Sequence, residues 1–591
     1  MSAAFLAACA TADAPRPATQ APSWPTLSRF SSESEFLRYV ADAAAARDAR
    51  RELGAFDGKQ SVEPECPPDD PACLGEEAEE AIVVTGSRIR QRDFQTISPI
   101  ASVGAEAMTN AQITNVQTAG VDEGDIVKMI GPYLIVLQDG RLFSIDTGQS
   151  AADLRFVDRM NVYRRSTADI WYDEMLVNGN RIVVTGYSYG EDATEFSVFS
   201  LSEDGRFTRE SVYYLSSDDY YDTENYATRL VGGNLVIYTP LDVSEIDASE
   251  RPRWPLVRRW LRDGEERAVA TSGRSLFDAR DIYRPIQATT SPTIHTISVC
   301  PLGSTRAGDE LDCRSTAIAG PGMREFYVSN DHVYLWLSHA PGYYGYRRSR
   351  FDRARCDARL PGSFGYAGEA ALFQISLRDG RPRAMFVRGH PYDQMSFEAT
   401  GDTLYALSVW TDPNCRDRPE DLPLRFLATP LSAFSTRPQA AAQALYTLLP
   451  TPGGAAMENR FALGHLVYGG RERWTSYPPQ DESELTARIV AVPTANPRAA
   501  AILEAPHNLI RVESIGVRAV LTGYRDDSAL SISVLDLQGA PRLTDTVRLE
   551  GRYESENRSH AFNASVDEHG AGLFGTADGA RGASRWPLVV E

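Results

Sequence analysis

The sequence predicts an all-β chain: a seven- or eight-bladed β-propeller preceded by a short helix and a disordered or extended tether. Three observations carry that prediction. Aromatic residues are plentiful, at 26 Tyr, 22 Phe and 8 Trp, and such side chains fit a pleated, half-buried surface. Glycine (44) and proline (35) are frequent enough to punctuate many short strands with turns. The third observation is a unit that recurs from about residue 125 onward, in which a Gly, Asn or Asp turn leads into an alternating apolar strand.

The unit occurs at residues 131–137, 179–185, 232–238, 330–336, 401–407, 464–468, 516–522 and 570–574. Most starts lie 48 to 71 residues apart, and the one gap of 98 holds an Arg- and Trp-rich insert around residues 254–280. A second strand follows several units, at 141–146, 196–201 and 372–377. Roughly 40–55 residues per four strands is the period of a propeller blade. A four-stranded blade cannot bury both faces alone, so blades stack in a ring and shield one another. The last unit could pair with the first strands to close that ring. A stack of β-sandwich domains is the competing reading, because its turns look similar locally.

Ahead of the propeller domain, assigned to residues 111–591, the chain divides into three parts. Residues 1–26 begin with a possible signal remnant and continue as a Pro-, Ala- and Thr-rich tether. Residues 27–51 contain one amphipathic helix: Ser32 with Glu35 forms a capping box, and Phe36, Tyr39 and Val40 fall on one face. Residues 52–110 form an acidic linker, with no basic residue between Lys59 and Arg88.

The overall charge narrows the function. With 80 acidic against 60 basic residues the net charge is -20, which argues against nucleic-acid binding through a general basic surface. No run of 18 apolar residues exists, so no membrane-spanning helix is expected. Apart from Cys9 there are six cysteines: Cys66, Cys73, Cys300, Cys313, Cys356 and Cys415. An even set in an exported chain suggests disulfides. Proximity suggests Cys66–Cys73 and Cys300–Cys313, leaving Cys356–Cys415; free buried thiols are the alternative. Zinc is disfavoured because no CxxC pair occurs.

Leu6-Ala7-Ala8-Cys9 resembles a bacterial lipobox. That resemblance implies lipidation of Cys9, a membrane anchor through that lipid and, with Ala10 rather than Asp after it, the outer membrane of a Gram-negative cell. The departure is upstream, where only five residues precede the box, without a positive or strongly apolar stretch. A plain Ala-rich tail is the alternative.

Thr114-Asn115-Val116-Gln117-Thr118-Ala119-Gly120-Val121-Asp122-Glu123-Gly124-Asp125-Ile126-Val127-Lys128 resembles the opening motif of a family of secreted bacterial proteins with a carboxy-terminal β-propeller, distantly related to WD repeats. The family commonly runs T-N-V-Q-x-x-G-V-D-E-A-D-I-V-K, so Gly124 replaces an alanine. Phe30–Val40 and His560-Ala561-Phe562 are similar to further family elements, and the resemblance spans about residues 27–580. It implies a propeller and export. The carboxylates of Asp122, Glu123 and Asp125 are expected to accept backbone N–H bonds where the chain enters the ring.

Ile82-Val83-Val84-Thr85-Gly86, with Ser98-Pro99-Ile100 after it, resembles the TonB box and plug start of TonB-dependent outer-membrane receptors. That resemblance implies pairing with TonB as an added strand. The many-stranded barrel of a receptor has no counterpart here, so an inherited fragment serving as an ordinary strand is the alternative.

Catalytic signals are sparse. Gly186-Tyr187-Ser188-Tyr189-Gly190 satisfies G-x-S-x-G, but a nucleophile elbow needs a helix next and residues 195–200 read as a strand. The eight histidines (His295, His332, His339, His390, His465, His507, His560 and His569) are scattered, and ring packing is expected of them. Asp218, Asp219, Asp222 and Glu224 could wrap calcium, although they lack EF-hand spacing and read first as a solvated loop. Arg347, Arg348, Arg350, Arg353, Arg355 and Arg359, interleaved with Tyr343, Tyr344, Tyr346 and Phe351, form a basic-aromatic loop suited to an anionic partner.

The sequence therefore favours a binding or scaffold protein of the cell envelope, with no catalytic residues, no required cofactor, and an envelope protein such as TonB as partner. A hydrolase or metal-dependent enzyme using the propeller channel, and a signalling component of a TonB-linked uptake system, are the alternatives.

Overall fold

The computed structural model describes residues 26–57, most of 116–554, and strands at 562–566, 572–576, 578–580 and 588–590. Within 116–554 the positions 149–153, 164–169, 192, 217–227, 244–245, 247, 249–253, 261–272, 288, 290–291, 339–368, 411–423, 454–455, 472–484 and 527 lie outside the description.

Each recurring turn–strand unit of the sequence is the second strand of its own antiparallel sheet. These strands are Tyr133–Gln138, Arg181–Ser188, Asn234–Asp242, His332–Ser338, Thr403–Val409, His465–Arg471, Arg518–Tyr524 and Gly572–Thr576. The turns ahead of six of these strands use a left-handed glycine. Gly179 is one, at φ 63°, and Gly401 another, at φ 58°, where a Cβ would be strained. In the sixth sheet Leu463 itself takes φ 51°.

Seven sheets of four or more strands follow one another and are numbered as blades. Blade 1 covers Val127–Asn161 and blade 4 covers Met323–Arg388, each with four strands. Blades 6 (Ala456–Ala505) and 7 (Arg511–Glu550) are also four-stranded, and blade 5 spans His390–Leu448. Blade 2 runs from Ile170 to Ser216 and is widened by Leu256–Arg259 and Arg274–Ser275. Those two strands come from the Arg- and Trp-rich insert, which folds back over the preceding blade. Blade 3 comprises Thr228–Val231, Asn234–Asp242, Pro292–Cys300 and Arg314–Pro321, with Ile282–Tyr283 on its outer edge. A three-stranded sheet, Phe562–Val566, Gly572–Thr576 and Leu588–Val590, comes last.

Separate apolar cores lie between successive blades, as a propeller requires and a stack of sandwiches does not. Leu142 of blade 1 packs with Ile182 of blade 2, Phe196 of blade 2 with Ile294 of blade 3, and Ile297 of blade 3 with Leu335 of blade 4. Trp336 and Phe397 join blades 4 and 5, Phe426 and Tyr468 join 5 and 6, and Ile489 and Leu521 join 6 and 7. The first strands of neighbouring blades also touch: 1 with 2, 2 with 3, 5 with 6 and 6 with 7. First strands thus face the ring centre. Among the described residues the carboxy-terminal strands pair with one another and not with blade 1, so the expected closure by strand sharing is not seen there.

The helix spans Glu33–Asp57, starting and ending later than the segment 27–51 expected to hold it. Phe36 and Val40 are buried against blades 2 and 3, and Phe36 meets Trp254 of the insert at 5.5 Å. The Ser32 hydroxyl accepts the Glu35 N–H at 3.2 Å. The return half of the box slips by one residue: the Glu35 carboxylate accepts from Ser31 N–H (2.8 Å) instead of Ser32. Arg284, paired with its other oxygen, draws the carboxylate toward the ring.

Candidate functional site

The largest concentration of buried charge lies where the opening motif meets the first strands. Asn115 lies outside the described residues; Val116 to Lys128 are described. Val121–Glu123 forms a short strand that pairs antiparallel with Thr228–Val231, the first strand of blade 3, in the register Val121↔Val231 and Glu123↔Arg229. The segment therefore lies on the central side of that blade.

Residues from Gln117 to Val121 are each held by a neighbouring ring residue. Gln117 Nε2 donates to the backbone carbonyls of Gln394 (2.8 Å) and Phe397 (3.2 Å) in blade 5. Thr118 Oγ1 shares a hydrogen bond with the Tyr327 hydroxyl at 2.8 Å. Asn330 Nδ2 donates to the Ala119 carbonyl at 3.0 Å. Gly120 sits at φ +86°, where a Cβ would come within 2.7 Å of Asn330 Oδ1, so this position excludes a side chain twice over. Val121 is buried in the core between blades 3 and 4.

The three carboxylates all accept backbone N–H groups: Asp122 from Val177 (3.0 Å), Glu123 from Gln117 (3.2 Å) and Asp125 from Val127 (3.1 Å). Asp122 also accepts from Lys128 Nζ at 2.6 Å, and both side chains are buried. Lys128 donates again to the Glu123 carbonyl at 2.7 Å. Glu123 lies 3.7 Å from Arg229 Nε, a pair equally buried. Asp125 exchanges two backbone hydrogen bonds with Met175 of blade 2, at 3.1 and 2.8 Å.

Several ring residues that complete this network lie outside every motif read from the sequence. Arg229 Nη2 donates to Gln394 Oε1 at 3.0 Å and its guanidinium lies over Phe326. Arg460 Nη2 donates to the Val116 carbonyl at 3.2 Å, and Arg460 Nη1 meets Glu513 at 2.7 Å. Arg511 lies 3.6 Å from the same carboxylate. Burial pushes the Glu513 carboxyl up, and the two arginines oppose that shift. Charged residues in the first strands Thr228–Val231, Ala456–Ala462 and Arg511–Ile515 break an otherwise apolar pattern, which is the one clue the sequence offered.

Other candidates resolve differently. Gly186 and Ser188 lie in the second strand of blade 2, and a turn then leads into strand Ala193–Leu201. The strand–turn–helix of a nucleophile elbow is absent there, and Ser188 is buried. His295 is buried between the Tyr238 hydroxyl and the Pro321 carbonyl, each at 2.8 Å. Burial drives its pKa down to about 3 and that of His390 down to about 4. His507 bonds Asn508 O and Ser533 Oγ. Among the described residues no three His, Cys, Asp or Glu side chains are arranged to hold a metal ion. Cys300 and Cys313 form a disulfide across the loop joining the last two long strands of blade 3. Cys9, Cys66, Cys73, Cys356, Cys415, the TonB-box-like residues Ile82 to Gly86, the acidic group Asp218, Asp219, Asp222 and Glu224, the Arg-rich loop, and His339, His560 and His569 lie outside the described residues.

A family model described as a beta propeller domain matches residues 112–421, starting at the opening motif. No curated protein matches the chain. Among solved structures, a mutant apocarotenoid oxygenase from Synechocystis is similar at 10% identity and a TM-score of 0.29, over 72% of this chain and 71% of that one. A post-proline cleaving enzyme from Rickettsia typhi is similar at 11% identity and a TM-score of 0.34, over 79% of this chain and 58% of that one.

Proposed function

The chain belongs to the beta propeller domain family, and from that premise we propose that it is an exported binding or scaffold protein of the cell envelope. In this reading Cys9 carries the lipid that holds it at the outer membrane. In it residues 82–86 pair with TonB as an added strand, and blade-end loops form the contact surface. The observation that carries the reading is the filled ring centre. Asp122, Glu123, Lys128, Arg229, Arg460 and Glu513 are partnered within the chain, so contact with other molecules falls to the rims. A propeller fold alone does not choose between binding and catalysis.

The test is a pull-down and strand-pairing cross-link between the full chain and the periplasmic carboxy-terminal domain of TonB, with Val84→Pro as control. Capture that the proline variant loses supports the TonB link. No capture at high micromolar concentration sinks it. Metabolic labelling with a fatty acid, set against Cys9→Ala, tests the anchor: label on the parent chain alone is expected, and an unlabelled parent contradicts it.

A further inference from the structure

We propose that the rim where blade 4 passes into blade 5 binds an acidic peptide segment of a partner protein, through the guanidiniums of Arg388 and Arg425 held over Trp410. The proposal rests on the binding reading above and names one rim contact for it. It uses neither Cys9 nor residues 82–86, so the two sets of tests fail separately.

Both blades build the platform. Arg388 ends the outer strand of blade 4, Trp410 follows the second strand of blade 5, Thr403–Val409, and Arg425 lies in the third, Leu424–Pro430. Gly389 makes the passage between the blades at φ +77°, where a Cβ would come within 2.4 Å of the Val409 carbonyl oxygen and 2.6 Å of Trp410 Cδ1. Glycine at this position therefore lets the indole lie across the junction. The indole is fixed on two further sides. Its Nε1 donates to Ser408 Oγ at 3.2 Å, and the Tyr446 ring meets it edge to face with centroids 5.0 Å apart. The Tyr446 hydroxyl also accepts the Arg388 N–H at 3.1 Å, so one side chain positions the tryptophan and the strand end that carries Arg388.

Two cations share this one ring. The guanidinium carbon of Arg425 lies 4.9 Å from the indole centroid and that of Arg388 lies 5.8 Å from it. Arg425 Nη1 is tethered further by donating to the Leu424 carbonyl at 3.1 Å. Among the described residues neither guanidinium forms an ion pair, in a chain whose net charge is -20. Burial lowers the Arg425 pKa from its ordinary value, and no carboxylate opposes the shift. A carboxylate brought to the pair would offset both that desolvation and the repulsion between the two like charges.

The chemistry selects the occupant. Stacked on the indole, each planar guanidinium keeps its N–H edge for a carboxylate, the geometry of a bidentate pair. Ser408, Arg425 and Leu448 stand opposite one another on three adjacent strands and so share one face of blade 5. Leu448 is 65% exposed, which adds an apolar contact beside the cations. Carboxylates flanking an aliphatic side chain are what an acidic peptide presents. An acidic glycan has no aliphatic side chain for Leu448, and the indole on which a sugar would stack already carries both guanidiniums and the Tyr446 ring.

The experiment titrates a fluorescein-labelled peptide, two repeats of Gly-Glu-Leu-Glu-Gly, into the full chain at low salt, read by anisotropy. Arg388→Gln and Arg425→Gln should each weaken binding roughly ten-fold, the factor for losing one charge-assisted hydrogen bond. Leu448→Ser should weaken it a few-fold. Arg306→Gln, which removes an exposed cation from the loop of blade 3, should leave it unchanged, and a peptide with Gln in place of each Glu should not bind. Arg388 and Leu448 are exposed and Arg425 is half-buried, so the variants should keep the parent's thermal transition. Equal affinity in the parent and both arginine variants overturns the proposal, as does an equal loss in Arg306→Gln. Absence of peptide binding at millimolar concentration overturns it too. Capture of polygalacturonate in place of the peptide, lost in the same two arginine variants, overturns the peptide as occupant.

Discussion

At Gly124 the chain departs from the motif it otherwise follows, and the cause sits in blade 2. A Cβ at position 124 would lie 1.9 Å from Glu174 Oε2. Glu174 is buried, with Thr185 Oγ1 donating to its other oxygen at 3.0 Å. Gly124→Ala should therefore cost about 1–3 kcal/mol by overpacking. A urea-unfolding double-mutant cycle with Glu174→Ala should show most of that cost relieved. The departure itself was visible in the sequence, but its cause was not, because nothing in a linear pattern joins residues 124 and 174. Lys128 poses the opposite problem. Lys128→Met would leave the Asp122 carboxylate buried without its cation, and a loss of about 3–5 kcal/mol is expected from the urea midpoint. The buried histidines set a pH dependence. His295 has its pKa lowered from 6.5 to about 3, so between those values the unfolded chain takes up a proton that the folded chain refuses. Stability present above pH 6.5 is lost as pH falls toward 3. His295→Gln should flatten the fall in unfolding free energy, read from urea titrations between pH 6.5 and 4, by about 1.4 kcal/mol per pH unit. Glu513, whose carboxyl is raised, acts with the opposite sign in both proteins and cancels in the comparison.

The elements were the most legible part of the chain. The turn–strand units became second strands because an alternating apolar run fixes burial and, in six of them, a left-handed turn glycine fixes the backbone ahead of it. First strands were harder to read. They carry the buried charges of the ring centre, so Thr228–Val231 and Arg511–Ile515 lack a clean apolar alternation. The amino-terminal helix was legible from Ser32, Glu35 and the Phe36, Tyr39, Val40 face, while its length was not, because its Ala-rich second half has helix propensity without a core-facing pattern. Phe36 buries fully at the edge of the ring, so Phe36→Ala should undock the helix and leave the blades folded. Limited proteolysis should then cut within residues 33–57 much faster than in the parent, with the main thermal transition retained. Complete unfolding would instead make the helix part of the ring's cooperative unit.

At the scale of the whole molecule, the sequence indicates a propeller and narrows the blades only to seven or eight, while the ring's closure was not legible. Repeat length indicates a propeller, whereas the identity of the strand that reaches the centre depends on contacts between residues far apart in the chain. Val121–Glu123 precedes blade 1 yet pairs in blade 3, and blades 2 to 6 hold the segment around it. Glu123 and Arg229, 3.7 Å apart, join this segment to the ring as a coupled pair. The most direct measurement is a double-mutant cycle on urea stability with Glu123→Arg, Arg229→Glu and the double exchange. Each single change should be strongly destabilising, and the exchange should recover about 1–3 kcal/mol relative to their sum. Strictly additive losses would contradict that coupling and leave the two side chains as independent occupants of the ring centre.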